Sequence, residues 1–117
     1  MRVLWIDDEP WYLEAFGDWL EAHGISCEFI ADPKKALEKF SEKPLYDLIV
    51  TDFRMGELTG DDVLKSIRET NSEIPVVLFS GSPGDSKMLK SFTKVVEKSY
   101  FESLQEYILK TNEGVVP

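Results

Sequence analysis

Short apolar runs alternate along the chain with polar stretches in which apolar residues recur at helical spacing. Val3, Leu4, Trp5 and Ile6 form the first run. An acidic cluster follows, then a helical pattern from Trp11 to about Ala22 whose inward stripe reads as Leu13, Phe16 and Leu20. Gly24 ends that helix, and residues 26–30 are predicted as a second strand. Asp32 then caps a helix over residues 33–40 that opens on Pro33, a residue suited to a first turn. Residues 45–51 are almost wholly apolar after Asp47, the character of a strand buried on both faces. A glycine-containing loop, residues 52–60, leads into a third helix. There Thr59 and Asp62 stand at capping-box spacing and Val63, Leu64 and Ile67 lie inward. Pro75 opens a fourth strand over residues 76–80. Residues 83–92 are polar with room for a short helix, and residues 93–97 read as a fifth strand. Ser99 with Glu102 forms a second capping-box pattern, before a last helix with Leu104, Tyr107 and Ile108 inward.

Strand and helix alternate five times, which predicts an α/β protein with a doubly wound, five-stranded parallel sheet and helices on both faces. Only 17 residues separate Ser80 from Lys98, so the fourth helix is expected to be short or irregular. One domain is expected over residues 1–111, with residues 112–117 as a tail or the start of a linker. At 117 residues with 43% apolar content, the chain can bury such a sheet.

Composition narrows the functional classes. No apolar run approaches the roughly 20 residues that span a bilayer, and no targeting segment is legible, so a cytoplasmic location is expected. A formal net charge of −9 argues against direct nucleic-acid binding and against anionic membrane. Cys27, the single cysteine, rules out an internal disulfide and reads as a small buried hydrophobe; His23, the single histidine, reads as a residue at a helix C-terminus. Most of the 22 carboxylates belong to solvated helix faces.

A few of them are placed differently. In a doubly wound sheet the carboxyl ends of the strands form the functional edge. The first strand delivers Asp7, Asp8 and Glu9 there, the third Asp52, the fourth Ser80 and the fifth Lys98. Paired carboxylates repel by roughly 4 kcal/mol at about 4 Å in an effective dielectric near 20. Such a cluster calls for a counter-ion, and oxygen ligands without imidazole or thiolate point to Mg²⁺, with Mn²⁺ as a substitute. A carboxylate can also attack phosphorus, the protein then positioning it and neutralising the transferred oxygens. Asp52 suits the phosphoacceptor, Asp8 with Asp7 behind it the metal, Lys98 a phosphoryl oxygen and Ser80 a second one. Each residue alone has a plain explanation as a turn or surface residue; each at a different strand end, in order, makes a unit.

The same residues resemble the receiver domain of bacterial response regulators over essentially the whole chain. The likeness rests on Asp7-Asp8-Glu9, on Asp52-Phe53-Arg54-Met55 with Gly60 eight residues beyond Asp52, on Ser80-Gly81 and on Lys98. It implies a flavodoxin-like fold and phosphorylation of Asp52 by a histidine kinase, a phosphotransfer protein or a small phosphodonor. It further implies Mg²⁺ held by Asp8, Asp52 and the backbone carbonyl of Arg54, with Asp7 acting through water, and a downstream effector domain or protein. The side chains of Arg54 and Ser82 would tune hydrolysis. Two departures look tolerable: Gly56 and Ser99 stand where prolines are usual. A third falls on the output side, because Val95 occupies the position of the usual Tyr or Phe, leaving Phe92, Tyr100 or Phe101 as alternative moving aromatics. Trp11 and Tyr12 read either as rim packing or as a kinase-docking surface. The alternatives are a degenerate receiver acting as a phosphorylation-independent binding module, and a Mg²⁺-dependent phosphatase. The latter class places an acid two residues after its nucleophile, where this chain has Arg54.

Overall fold

A computed structural model of the chain describes residues 1–9, 11–42 and 45–114. Five strands, β1 (Arg2–Ile6), β2 (Ser26–Ile30), β3 (Leu48–Thr51), β6 (Val76–Ser80) and β7 (Lys94–Glu97), form one parallel sheet in the order β2-β1-β3-β6-β7. That order is the flavodoxin-like doubly wound arrangement, with its switch point between β1 and β3. β1, β3 and β6 are buried on both faces apart from Arg2, as their near-continuous apolar sequences require.

The two faces carry separate cores. On one, α1 (Trp11–Ala22) and α4 (Phe101–Asn112) cover Val3, Trp5, Val50, Val77 and Phe79; on the other, α2 (Pro33–Glu42) and α3 (Gly60–Thr70) cover Leu4, Ile6, Ile49 and Leu78. Local signals act largely as read. The Asp32 carboxylate accepts from the Lys34 N–H (2.9 Å). The Thr59–Asp62 capping box is complete, Asp62 Oδ2 accepting from the Thr59 N–H (2.9 Å) and Thr59 Oγ1 from the Asp62 N–H (3.3 Å).

Several expectations need correction. The inward stripe of α1 is Tyr12, Phe16 and Leu20, while Leu13 is 48% exposed. β3 begins at Leu48; Leu45 is exposed, and Asp47 instead accepts from the Arg2 N–H (2.8 Å). The predicted loop after Asp52 contains a hairpin, β4 (Arg54–Met55) against β5 (Leu58–Thr59), turning at Gly56 with φ 78°. A first central glycine with positive φ is the type II′ arrangement, and no proline could adopt it. The Ser99–Glu102 capping box does not form, because residues Lys98–Tyr100 wind as a single 3₁₀ turn and α4 begins after Tyr100 with no side-chain cap. Between β6 and β7 there are two 3₁₀ turns, Pro83–Asp85 and Leu89–Ser91, and no α-helix. Cys27 is half-buried and His23 accompanies the end of α1, its ring Nδ1 2.8 Å from the Trp19 carbonyl. Asn112, read as the first tail residue, is the last of α4; residues 115–117 of that tail lie outside the described residues. Among the described residues no helix is long and apolar enough to cross a membrane.

Candidate functional site

Sheet register brings the acids together. Ile6 pairs with Thr51, so the next residues, Asp7 and Asp52, emerge side by side; the Asp52 N–H donates to the Ile6 carbonyl (2.9 Å) and the Asp7 N–H to the Ile30 carbonyl (3.2 Å). Carboxylate oxygens of Asp7, Asp8, Glu9 and Asp52 lie within 4.8 Å of one another. Asp7 and Asp52 are buried, Asp8 is exposed, and Glu9 is between.

Ser80 pairs with Glu97, so Lys98 leaves β7 one step beyond Ser80. Its ammonium reaches across to Asp52 Oδ2 (2.9 Å), Glu9 Oε1 (2.9 Å) and Asp7 Oδ2 (3.1 Å). Beneath it lies the Tyr12 ring, 4.5 Å from Nζ, a cation–π contact that the misphased reading of α1 missed. Glu9 is a second omission: the sequence shows it only as part of the acidic cluster and carries no signal for its role as a lysine partner. The second oxygen of Asp52 accepts from the Phe53 N–H (2.7 Å), and Ser80, 2% exposed, accepts at Oγ from the Ser82 N–H (3.1 Å). Arg54 sends its guanidinium to Asp85 (2.6 Å), and so offers no acid two residues after Asp52.

Gly60 has a steric reason. A Cβ there would sit 2.6 Å from the Asp52 carbonyl oxygen and 3.3 Å from Phe53 Cα, so α3 can begin against the loop only with a hydrogen at that place. The Gly60 N–H donates to the Phe53 carbonyl (2.8 Å), fixing the loop behind Asp52.

The electrostatics follow from burial and crowding. Burial pushes the Asp7 carboxyl up to about 6; the Glu9 N–H and Lys98 pull against it and the Asp52 charge adds to it. For Lys98, burial opposes the charge, but the hydrogen bonds to Glu9 and Asp52 and the charges of Asp7 and Asp52 outweigh it, holding the ammonium above the ordinary lysine range. The hydrogen bond from Lys98 holds Glu9 below the usual carboxylate range. One buried oxygen, Asp7 Oδ2, has no hydrogen-bond donor, its contact with Lys98 lying outside hydrogen-bonding geometry. Four carboxylates and one ammonium, formally −4 + 1 = −3, with an orphaned oxygen and no nitrogen or sulfur ligand, are a donor set that fits a hard divalent cation such as Mg²⁺.

With this geometry in place, comparison with known proteins gives the family. Residues 3–109 match the family model of the response regulator receiver domain, and the chain belongs to that family. It is 26% identical over 111 residues to the two-component response regulator ORR5 of rice, covering 93% of this chain and 77% of that protein. It is 31% identical over the same length to the sensor histidine kinase TmoS of Ectopseudomonas mendocina, of which it spans 10%. Among solved structures, the response regulator TrrA of Thermotoga maritima in complex with Mg²⁺-BeF superposes with a TM-score of 0.82 at 27% identity, covering 94% of this chain and 97% of that one. TrrA has also been solved in complex with the histidine kinase ThkA.

Proposed function

We propose that this receiver domain accepts a phosphoryl group on Asp52 in a Mg²⁺-dependent reaction with a histidine kinase, a phosphotransfer protein or a small acyl phosphate as donor, and thereby controls a downstream effector. The observation that carries this reading is the convergence of Asp7, Asp8, Glu9 and Asp52 at the carboxyl edge of the sheet, with the Lys98 ammonium on three of them.

An Asp52 carboxylate oxygen attacks phosphorus, the new O–P bond forming as the bond from phosphorus to the donor atom breaks and the electron pair leaves with the donor. Phe53 N–H orients the carboxylate through its other oxygen. Lys98, 2.9 Å from Asp52, is the cation to pair with a transferred oxygen, and Ser80 is the hydroxyl donor to a second one. Asp7, Asp8, Asp52 and the Arg54 carbonyl are the groups to hold Mg²⁺, which supplies charge neutralisation at the phosphoryl oxygens. The TrrA complex with Mg²⁺-BeF supports the choice of ion, and the TrrA–ThkA complex supports the choice of partner. Enzymatic activity is limited to the domain's own phosphorylation and dephosphorylation. Residues 1–111 form the working unit, in the cytoplasm, without direct contact to nucleic acid or membrane.

A second reading, a binding module independent of phosphorylation, draws on the half-buried Val95 and on the absence of a helix between β6 and β7. Intact mass after incubation with acetyl phosphate, with and without Mg²⁺, separates the two. A single Mg²⁺-dependent adduct of one phosphoryl group, absent in Asp52→Ala, is the expected result. Trp11, 52% exposed with its indole N–H on Glu9 (3.0 Å), reports the site by emission in the same samples. Neither adduct nor emission change on Mg²⁺ addition would favour the second reading.

A further inference from the structure

Helix α1 has two flanks. One faces α4 beside Lys98; the other faces the edge strand β2 and bounds an open groove of about 650 Å³. Leu13, Gly17 and Leu20 from the helix and Ile25, Cys27 and Phe29 from the strand side give this groove an apolar floor. Its rim is formed by Glu14, Asp18 and Glu21, all exposed.

Leu20 and Ile25 belong to the core and Cys27 and Phe29 pack against it, so folding accounts for the depth of the floor; it does not account for Gly17, for the exposed Leu13 or for the rim. Gly17 sits in the middle of α1, where glycine is less stable than alanine, and its φ is not in the positive region. A Cβ there would meet only Leu13 Cδ1 at 3.8 Å, an ordinary contact. Packing within the domain therefore does not require this glycine; its missing side chain leaves the groove open enough for another backbone to come close. The rim acids stand at i, i+4 and i+7, a spacing at which like charges repel along the helix, and Glu21 falls in the last turn, where the helix dipole disfavours an anion. α1 has no basic residue in that turn, and among the described residues none of the three acids forms an ion pair. The helix thus carries two unfavourable features that meet in one groove.

We infer that the α1–β2 groove is a docking site for a basic amphipathic helix of a partner protein, its apolar stripe lying over Gly17 and its Lys or Arg residues on Glu14, Asp18 and Glu21. A helix in a groove reads apolar anchors at one-turn spacing, and the missing side chain at Gly17 sets how closely the two axes approach. A second copy of this chain, itself formally −9, is the less complementary occupant. The site is on the opposite flank of α1 from Lys98, so occupancy is compatible with phosphorylation of Asp52 and independent of it.

The test uses the whole chain and a fluorescent peptide about 14 residues long, some four helical turns, built from Leu, Ala and Lys in an amphipathic pattern. Anisotropy gives the affinity, and the reaction of Cys27 with a thiol reagent reports occupancy of the floor. Expected are saturable binding with Cys27 protected, about a tenfold or greater loss in Asp18→Lys, and no more than about a twofold change in Glu102→Lys, a control on exposed α4 surface. Gly17→Ala is expected to raise the melting temperature and weaken the peptide, opposite signs that a purely structural glycine would not give. Equal losses in Asp18→Lys and Glu102→Lys would reduce the binding to net charge and overturn the inference. So would a Gly17→Ala variant that melts lower than wild type, or Cys27 protection that follows protein concentration without peptide, which would assign the groove to a second copy.

Discussion

The acidic pocket and the segment that follows β6 are neighbours, yet they are built in opposite ways. In the pocket, two buried carboxylates are fixed by sheet register and by backbone N–H donors, and one ammonium serves both of them and Glu9. Residues 81–93, by contrast, contain no regular element beyond two 3₁₀ turns. They are tied down by Asp61, which accepts from Ser86 Oγ (2.6 Å) and the Lys87 N–H (2.9 Å), by the Arg54–Asp85 pair, and by the apolar anchors Met88 and Phe92. Chemistry is thus housed where rearrangement is costly, and the adjoining segment, which starts directly after Ser80, where it is cheap. Phe92, 6% exposed in the core, is held firmly, while Tyr100 and Phe101 are exposed.

If the pocket is the rigid half, the largest losses should come from its fixed points. Lys98→Met leaves three carboxylates without their common cation and should destabilise the domain by about 3 kcal/mol without metal, the scale for breaking a buried ion pair. Mg²⁺ should restore much of that, because an ion that binds only the folded state stabilises it. Urea melts with and without Mg²⁺ check both parts, and a loss that Mg²⁺ leaves untouched would mean the cation does not share the lysine's carboxylates. Gly60→Ala forces a methyl group onto the Asp52 carbonyl and should cost about 2 kcal/mol, with slower phosphoryl uptake from acetyl phosphate at matched folded fraction.

Proton competition comes next. With the folded Asp7 carboxyl at about 6, against an ordinary 3.8, the apo pocket binds a proton more tightly than the unfolded chain does. The contribution of Asp7 to apo stability is therefore full below about pH 4 and lost as pH rises through about 6. Mg²⁺ needs the ionised form, so its affinity should move the other way, falling toward tenfold per pH unit below about 6 and levelling above 7. Titrations of Trp11 emission at pH 5, 6 and 7 measure this. A flat profile would remove Asp7 from the ion's surroundings.

The rigid half was also the legible half. Strand ends can be read from apolar runs, and a parallel sheet in this order brings those ends together, so the placement of Asp7, Asp52, Ser80 and Lys98 along one edge could be read from the chain alone. The α1 phase could not. Tyr12 and Leu13 are both apolar, and Tyr12 is the one that turns inward, onto Phe79 from β6 and beneath a lysine that arrives from position 98, partners that local pattern does not reveal. The β4–β5 hairpin has strands of two residues, too short for an alternating pattern, with Gly56 as its only cue. Ser99 has the right chemistry for a cap, but the 3₁₀ turn at Lys98–Tyr100 displaces the helix start past it. The ties of the segment after β6 run from Asp61 and Arg54, residues that local pattern assigns to a helix turn and a loop.

Those ties give the smallest and most discriminating effects. Asp61→Ala removes the acceptor of Ser86 Oγ and of the Lys87 N–H, and Ser86 is buried, so about 1 kcal/mol of stability should be lost. Arg54→Ala breaks a pair whose guanidinium is 74% exposed, and surface pairs of this kind contribute about 0–0.5 kcal/mol and fade with salt. The two substitutions therefore part company in amide exchange across residues 82–92. Asp61→Ala should speed exchange there while leaving β1 and β3 protected, and Arg54→Ala should barely move it. Uniform acceleration in Asp61→Ala, reaching the central strands, would mean that the segment and the pocket open as one unit and that the contrast between them does not hold.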